Sequence, residues 1–118
     1  MRIDLLCRIG FLVALLLIIG GSLAPEAWLT YDLADYDKLL HLAGYFALAM
    51  MAALGWPRWR GAALVGLPLV GLALEVAQTS IGRNFDWKDA LTNAAGIGVA
   101  VAASAALTRW LAQERKSR

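Results

Sequence analysis

The chain is short of what a water-soluble domain needs. Charged residues make up 17% of its 118 positions, where soluble domains carry about a quarter. The few charges sit in clumps between long apolar runs, so most prospective helices have no polar face to turn to water. Cysteine is nearly absent. Cys7 alone excludes an internal disulfide and a cysteine-cluster metal site, and it reads as a small apolar filler near one end of the first run. Histidine is also single. His41 with nearby carboxylates could ligate a divalent ion, but one His is thin for zinc, so no metal ligands are assigned. No motif calls for a cofactor, and no internal repeat, low-complexity tract or linker is present.

What is there in excess is apolar surface: 60% of residues are hydrophobic and the mean hydropathy is +0.61. Four runs carry it. The first is Ile9 to Ala24, extended back to Leu5 with Arg8 snorkelling to the interface. The others are Leu39 to Trp56, Gly61 to Ile81 and Ala90 to Leu107. Each is long enough for a helix across a bilayer core about 30 Å thick. Backbone groups in lipid must be satisfied within the segment, and four closely spaced strands could not close a barrel. The expectation is a single all-α domain over 1–118, a bundle of four transmembrane helices at about 5–24, 38–56, 61–81 and 89–110. Pro68 falls inside the third and marks a kink. The first run follows Arg2 and Arg8 as a signal peptide would. Pro25 is a poor residue to follow a cleavage, and no soluble domain follows, so an uncleaved helix is expected.

Orientation follows from the basic residues. Arg2, Arg8, Arg58, Arg60, Arg109, Arg115, Lys116 and Arg118 fall on one side of the expected bundle, and Lys38, Arg83 and Lys88 on the other. Lys and Arg concentrate in cytoplasmic loops. Both termini and the turn at 57–60 are therefore expected in the cytoplasm, with segments 25–38 and 82–89 outside. The outer segments also hold Glu26, Asp32, Asp35, Asp37, Asp86 and Asp89. The net charge of +2 is then a topology signal, and no nucleic-acid partner is expected. Trp28, Trp56, Trp59, Trp87 and Trp110 all fall at or beside run ends, as an interfacial aromatic belt requires.

The polar residues inside the runs converge at one depth. Asp37, His41 and Tyr45 are spaced at four and share a helix face. Glu75, Gln78 and Thr79 share another, near the outer end of the third helix. Asp89 and Asn93 open the fourth, and Gly96 continues their stripe. At about 1.5 Å per residue, all lie within roughly 10 Å of the outer surface. Lys38, Arg83 and Asp86 join them from the ends and loops. An unpaired polar group at such depth costs several kcal/mol, and an ionisable one, Glu75 above all, marks a functional site by default. Individually the residues have plainer uses. Gln78 and Asn93 suit interhelical hydrogen bonds, Tyr45 a packed ring, and Asp37 and Asp89 helix N-caps. Pro68 and Gly71 precede Glu75 on its face, and Gly96, Ala100 and Ser104 continue below Asn93. Such small-residue stripes let helices approach closely, so the bundle is expected tight at the cytoplasmic end and open as a cup at the outer one.

Three stretches then stand in order. Asp37-Lys38-Leu39-Leu40-His41-Leu42-Ala43-Gly44-Tyr45 resembles the Asp-Lys-x-x-His-x-x-x-Tyr segment of the VanZ-like membrane proteins. Glu75-Val76-Ala77-Gln78 resembles that family's Glu-x-x-Gln. Arg83 followed by Asp89-Ala90-Leu91-Thr92-Asn93-Ala94-Ala95-Gly96 resembles its Arg and Asp-x-x-x-Asn-x-x-Gly. The resemblance covers nearly the whole chain and implies a bacterial cytoplasmic-membrane protein, with no settled activity attached.

Three functions are open at this point. In the first, Asp37, Lys38, His41, Tyr45, Glu75, Gln78, Arg83, Asp89 and Asn93 bind the anionic headgroup of an envelope lipid or a glycan precursor, with the cations on phosphate. In the second, the cluster holds the helices together and the chain docks a partner membrane protein or another copy of itself. In the third, Glu75 and His41 are general base and acid of an intramembrane hydrolase or transferase. Membrane lipids are partners in all three.

Overall fold

The computed structural model describes residues 2–28 and 36–118. Asp32 and Asp35 of the expected outer segment lie outside the described residues. Every long element is helical: α1 (Ile3–Ser22), α2 (Asp37–Gly55), α3 (Arg60–Thr79) and α4 (Trp87–Ser117). Short 3-10 turns at Glu26–Trp28 and Pro57–Trp59 adjoin α1 and join α2 to α3. All four helices are long and apolar enough to cross a membrane, as the hydropathy runs require.

Packing centres on α2, which lies along α4 on one side and α1 on the other, while α3 rests mainly on α4. The core is Tyr45, Leu48, Ala49 and Ala52 of α2, Leu67 of α3, and Ile97 and Ala100 of α4. These residues recur at three- and four-residue intervals, the spacing of one helix face. Helix α1 contributes Phe11, Ala14, Leu15 and Ile18 to the edge of that core, yet none of its residues is buried. Leu12, Leu16, Leu17, Leu69, Val99 and Leu107 point outward and are exposed. In water this surface would be costly, at about 25 cal/mol per Å²; in a bilayer that cost would be absent.

The small residues of α4 are where the bundle is tightest. Gly96, Ala100 and Ser104 are buried, and a Cβ added to Gly96 would stand 2.6 Å from the Leu42 carbonyl oxygen. At the far end of α2, the Arg8 Nε–H donates to the Gly55 carbonyl at 2.8 Å, and its guanidinium lies 5.3 Å from the Trp56 ring centre. One of the last carbonyls of α2, left without a partner in its own helix, is thereby satisfied by α1.

Two details differ from expectation. Helix α4 runs on to Ser117 rather than stopping near 110. Residues 111–116 are Leu, Ala, Gln, Glu, Arg and Lys, all strong helix formers, so the helix outlasts its apolar run. At 31 residues it is about 46 Å long by helical rise, more than a bilayer core. Nor is the bundle closed at the Arg8 end. An apolar cavity of about 380 Å³, lined by Phe11, Trp56, Trp59, Ala63 and Gly66 among others, lies between α1, α2 and α3 there. Small residues on α3 face α1 across it, and α3 makes few contacts with α1 to fill it.

Candidate functional site

The opposite end of the bundle holds the polar residues. Helix α2 begins at Asp37, so Lys38 and His41 occupy its first turns. Helix α3 brings Glu75 and Gln78 to its last turn. A loop carrying Arg83 and Asp86 leads into α4, whose opening turns present Asp89 and Asn93. Glu75, Gln78, Asp89 and Asn93 are buried at 2%, 3%, 7% and 1% exposure. Glu75 therefore faces the bundle interior.

The helices are cross-linked through these groups. The Lys38 ammonium donates to Asp89 Oδ1 at 2.8 Å and reaches Asp86 Oδ2 at 3.4 Å. His41 Nδ1–H donates to Asn93 Oδ1 at 2.9 Å, tying α2 to α4. The other ring nitrogen, Nε2, faces Asp37 Oδ1 at 3.6 Å and Asp89 Oδ2 at 3.9 Å. The Tyr45 ring stacks parallel to His41, centres 6.4 Å apart, and is buried. On the other side of α2, Gln78 Nε2 and Arg83 Nη1 both donate to the Ser22 carbonyl, at 2.9 and 3.0 Å. Glu75 Oε2 accepts the Asp86 backbone N–H at 3.3 Å. Among the described residues it has no cationic partner within 4 Å, because Arg83 turns to α1.

Asp86, expected at the depth of the cluster but not among its binding residues, does three things. Its Oδ1 accepts the Lys88 backbone N–H at 2.8 Å as the N-cap of α4. Its Oδ2 meets Lys38, and its N–H holds Glu75. The expected capping by Asp37 and Asp89 is thereby corrected: both side chains turn toward His41, and α2 has no side-chain cap. The signal was in the sequence. An Asp ahead of Trp87-Lys88-Asp89 is an N-cap followed by acidic residues in the first turn. The cap's N–H donation holds the Asp86 carboxyl below the usual carboxylate range, with Lys38 adding to the effect. A lowered pKa contributes stability that is complete above the unfolded value, about 4, and is lost as pH falls through the folded value. Asp86→Ala is therefore expected to lower the melting temperature at neutral pH and to flatten its decline below pH 4. Thermal unfolding in detergent across that range checks both.

Thr79 is the one residue of the expected face that does not join. It is exposed, and its hydroxyl bonds the Val76 carbonyl of its own helix. Ser22 was missed from sequence because only its carbonyl takes part; an orphan acceptor at a helix C-terminus carries no side-chain signature.

Two clefts flank the cluster. One of about 280 Å³ opens between α1 and α2, with Leu17, Ile18 and Leu40 on its apolar wall and Asp37, His41, Tyr45, Gln78 and Arg83 on its polar side. The other, about 270 Å³, is almost wholly polar and is lined by Asp37, Gln78, Arg83, Asn84, Asp86 and Asp89. Asp37, Gln78 and Arg83 border both. No protein-family model, curated protein or solved structure matches the chain.

Proposed function

We propose that this is a VanZ-like protein of the bacterial cytoplasmic membrane, with both termini cytoplasmic, that binds the headgroup of an anionic envelope lipid or glycan precursor at the outer leaflet. The observation that carries the reading is the cleft between α1 and α2. Its mixed lining suits a molecule with a polar head and an apolar chain: Leu17, Ile18 and Leu40 flank the chain while Arg83, Gln78 and His41 meet the head. The phosphate role falls on Arg83. Lys38 is committed to Asp86 and Asp89, whereas Arg83 has no carboxylate within 4 Å among the described residues and spends one N–H on a carbonyl. Its remaining donors are free to take a phosphate in a fork.

Native mass spectrometry of gently extracted protein tests this. Wild type is expected to retain an anionic lipid that Arg83→Ala loses while remaining monodisperse. Equal lipid retention by both proteins would end the headgroup reading.

The cross-links from α2 to α4 and from α3 to α1 also favour a second reading, in which the cluster is a clamp and the chain a docking subunit. It predicts that Arg83→Ala loses its fold along with its lipid.

A further inference from the structure

We infer that Asp37, His41 and Asp89 form a binding site for one divalent transition-metal ion, beside the headgroup cleft and sharing His41 with it. One donor atom from each lies within 4.8 Å of the others. Bonds of about 2.0–2.2 Å to nitrogen and carboxylate oxygen need only a modest closing of that triangle. Asp37 can supply it, since its side chain is 43% exposed.

His41 is the centre of the site. Its Nδ1 meets Asn93 Oδ1 at 2.9 Å, so Nε2 is the ring nitrogen left facing two carboxylates, at 3.6 and 3.9 Å. A ring nitrogen and two carboxylates converging on one point make a donor set for a cation. Lys38 does not fill the place, because it sits on Asp89 Oδ1 and leaves Oδ2 toward the histidine. A ligating histidine whose other ring N–H is held by an oxygen acceptor is the usual second layer of a metal site.

Asn93 holds the other ring nitrogen from the interior. The amide is 1% exposed, and its Nδ2 has no hydrogen-bond partner among the described residues. Access is open, since Asp37 borders both clefts and Asp89 lines the polar one. One nitrogen and two carboxylate oxygens suit a borderline ion such as Zn²⁺ or Mn²⁺ better than Mg²⁺, with water in the remaining positions.

The test is titration of chelator-treated full-length protein in detergent with Zn²⁺ or Mn²⁺ alone, followed by calorimetry and by metal content after gel filtration. One ion per chain is expected. Asp37→Asn and Asp89→Asn should weaken binding about 100-fold, and Asn93→Ala about 10-fold, as losses around metal sites do. Arg83→Ala should bind as wild type, so a failed lipid assay leaves this result readable. Asp37 is exposed enough that its variant keeps the fold if Asp89→Asn does not. Nitrogen NMR of the single histidine gives a second readout, with the Nε2 resonance shifted by metal. Binding unchanged in Asp37→Asn, no stoichiometric binding, or an Nε2 resonance unmoved by metal would each overturn the site.

Discussion

Gly96→Ala is expected to cost about 3 kcal/mol of stability, the upper end of overpacking penalties, and Gly98→Ala to cost nothing. The two glycines are one half-turn apart on α4, and only Gly96 lies on the stripe of Asn93. A methyl on Gly96 would sit 2.6 Å from the Leu42 carbonyl oxygen and 3.2 Å from the Phe46 nitrogen. Both are backbone atoms of α2, so no side chain can swing aside; α2 and α4 must separate along their main contact. That contact also sets the His41–Asn93 bond, one turn away, so the site loosens with the scaffold. Gly98 has nothing within 4 Å of its added methyl, and alanine there gains about 0.5–1 kcal/mol of helix propensity. Thermal unfolding of both variants in one detergent checks the pair. Equal stability would mean that the close approach of α2 and α4 is not the mainstay of the bundle.

Asn93→Leu is the second large effect, and it separates polar pairing from shape. Leucine matches the branching at Cγ and has a higher helix propensity, but it leaves the His41 Nδ1 without its oxygen partner in the interior. An unsatisfied buried donor costs about 1–3 kcal/mol, and the branched side chain adds crowding where Asn93 Nδ2 already lies 3.1 Å from the Cβ position of Gly71. A total near 3 kcal/mol is expected. Asn93→Gln should lose less, because its amide oxygen can still accept from Nδ1 and it adds no charge. Chemical or thermal unfolding of the two variants gives the comparison. If glutamine proves as damaging as leucine, the His41–Asn93 bond is not what secures α2 to α4 at this end.

The helical periodicities of the sequence already place Asp37, His41 and Tyr45 on one face of α2, and Asp89, Asn93 and Gly96 on one face of α4. They hold in the structure because helical spacing is a local property. Thr79 shows the limit. It shares a face with Glu75 by spacing, but it lies at the end of α3, beyond the reach of α2 and α4, and satisfies itself on its own backbone. Asp86 shows the converse: no periodicity marks a loop residue, yet its cap geometry ties Lys38 and Glu75 into one network.

Hydropathy and length alone determined four helices apolar enough for a bilayer, since a run of apolar residues must find an apolar solvent and satisfy its own backbone. The clustering of chemistry toward one end was equally readable, because helix length converts residue number into depth. Which partners meet was decided only by tertiary packing. Lys38 could have paired with Asp37, Glu75 or a phosphate, and Arg83 with Glu75. The crossing of α2 on α4 at Gly96 put Lys38 on Asp89 and His41 on Asn93, and the docking of α1 drew Arg83 and Gln78 to Ser22. Pairing depends on distances of a few tenths of an ångström between separate helices, and those are set by side-chain volume at the contacts rather than by order along the chain.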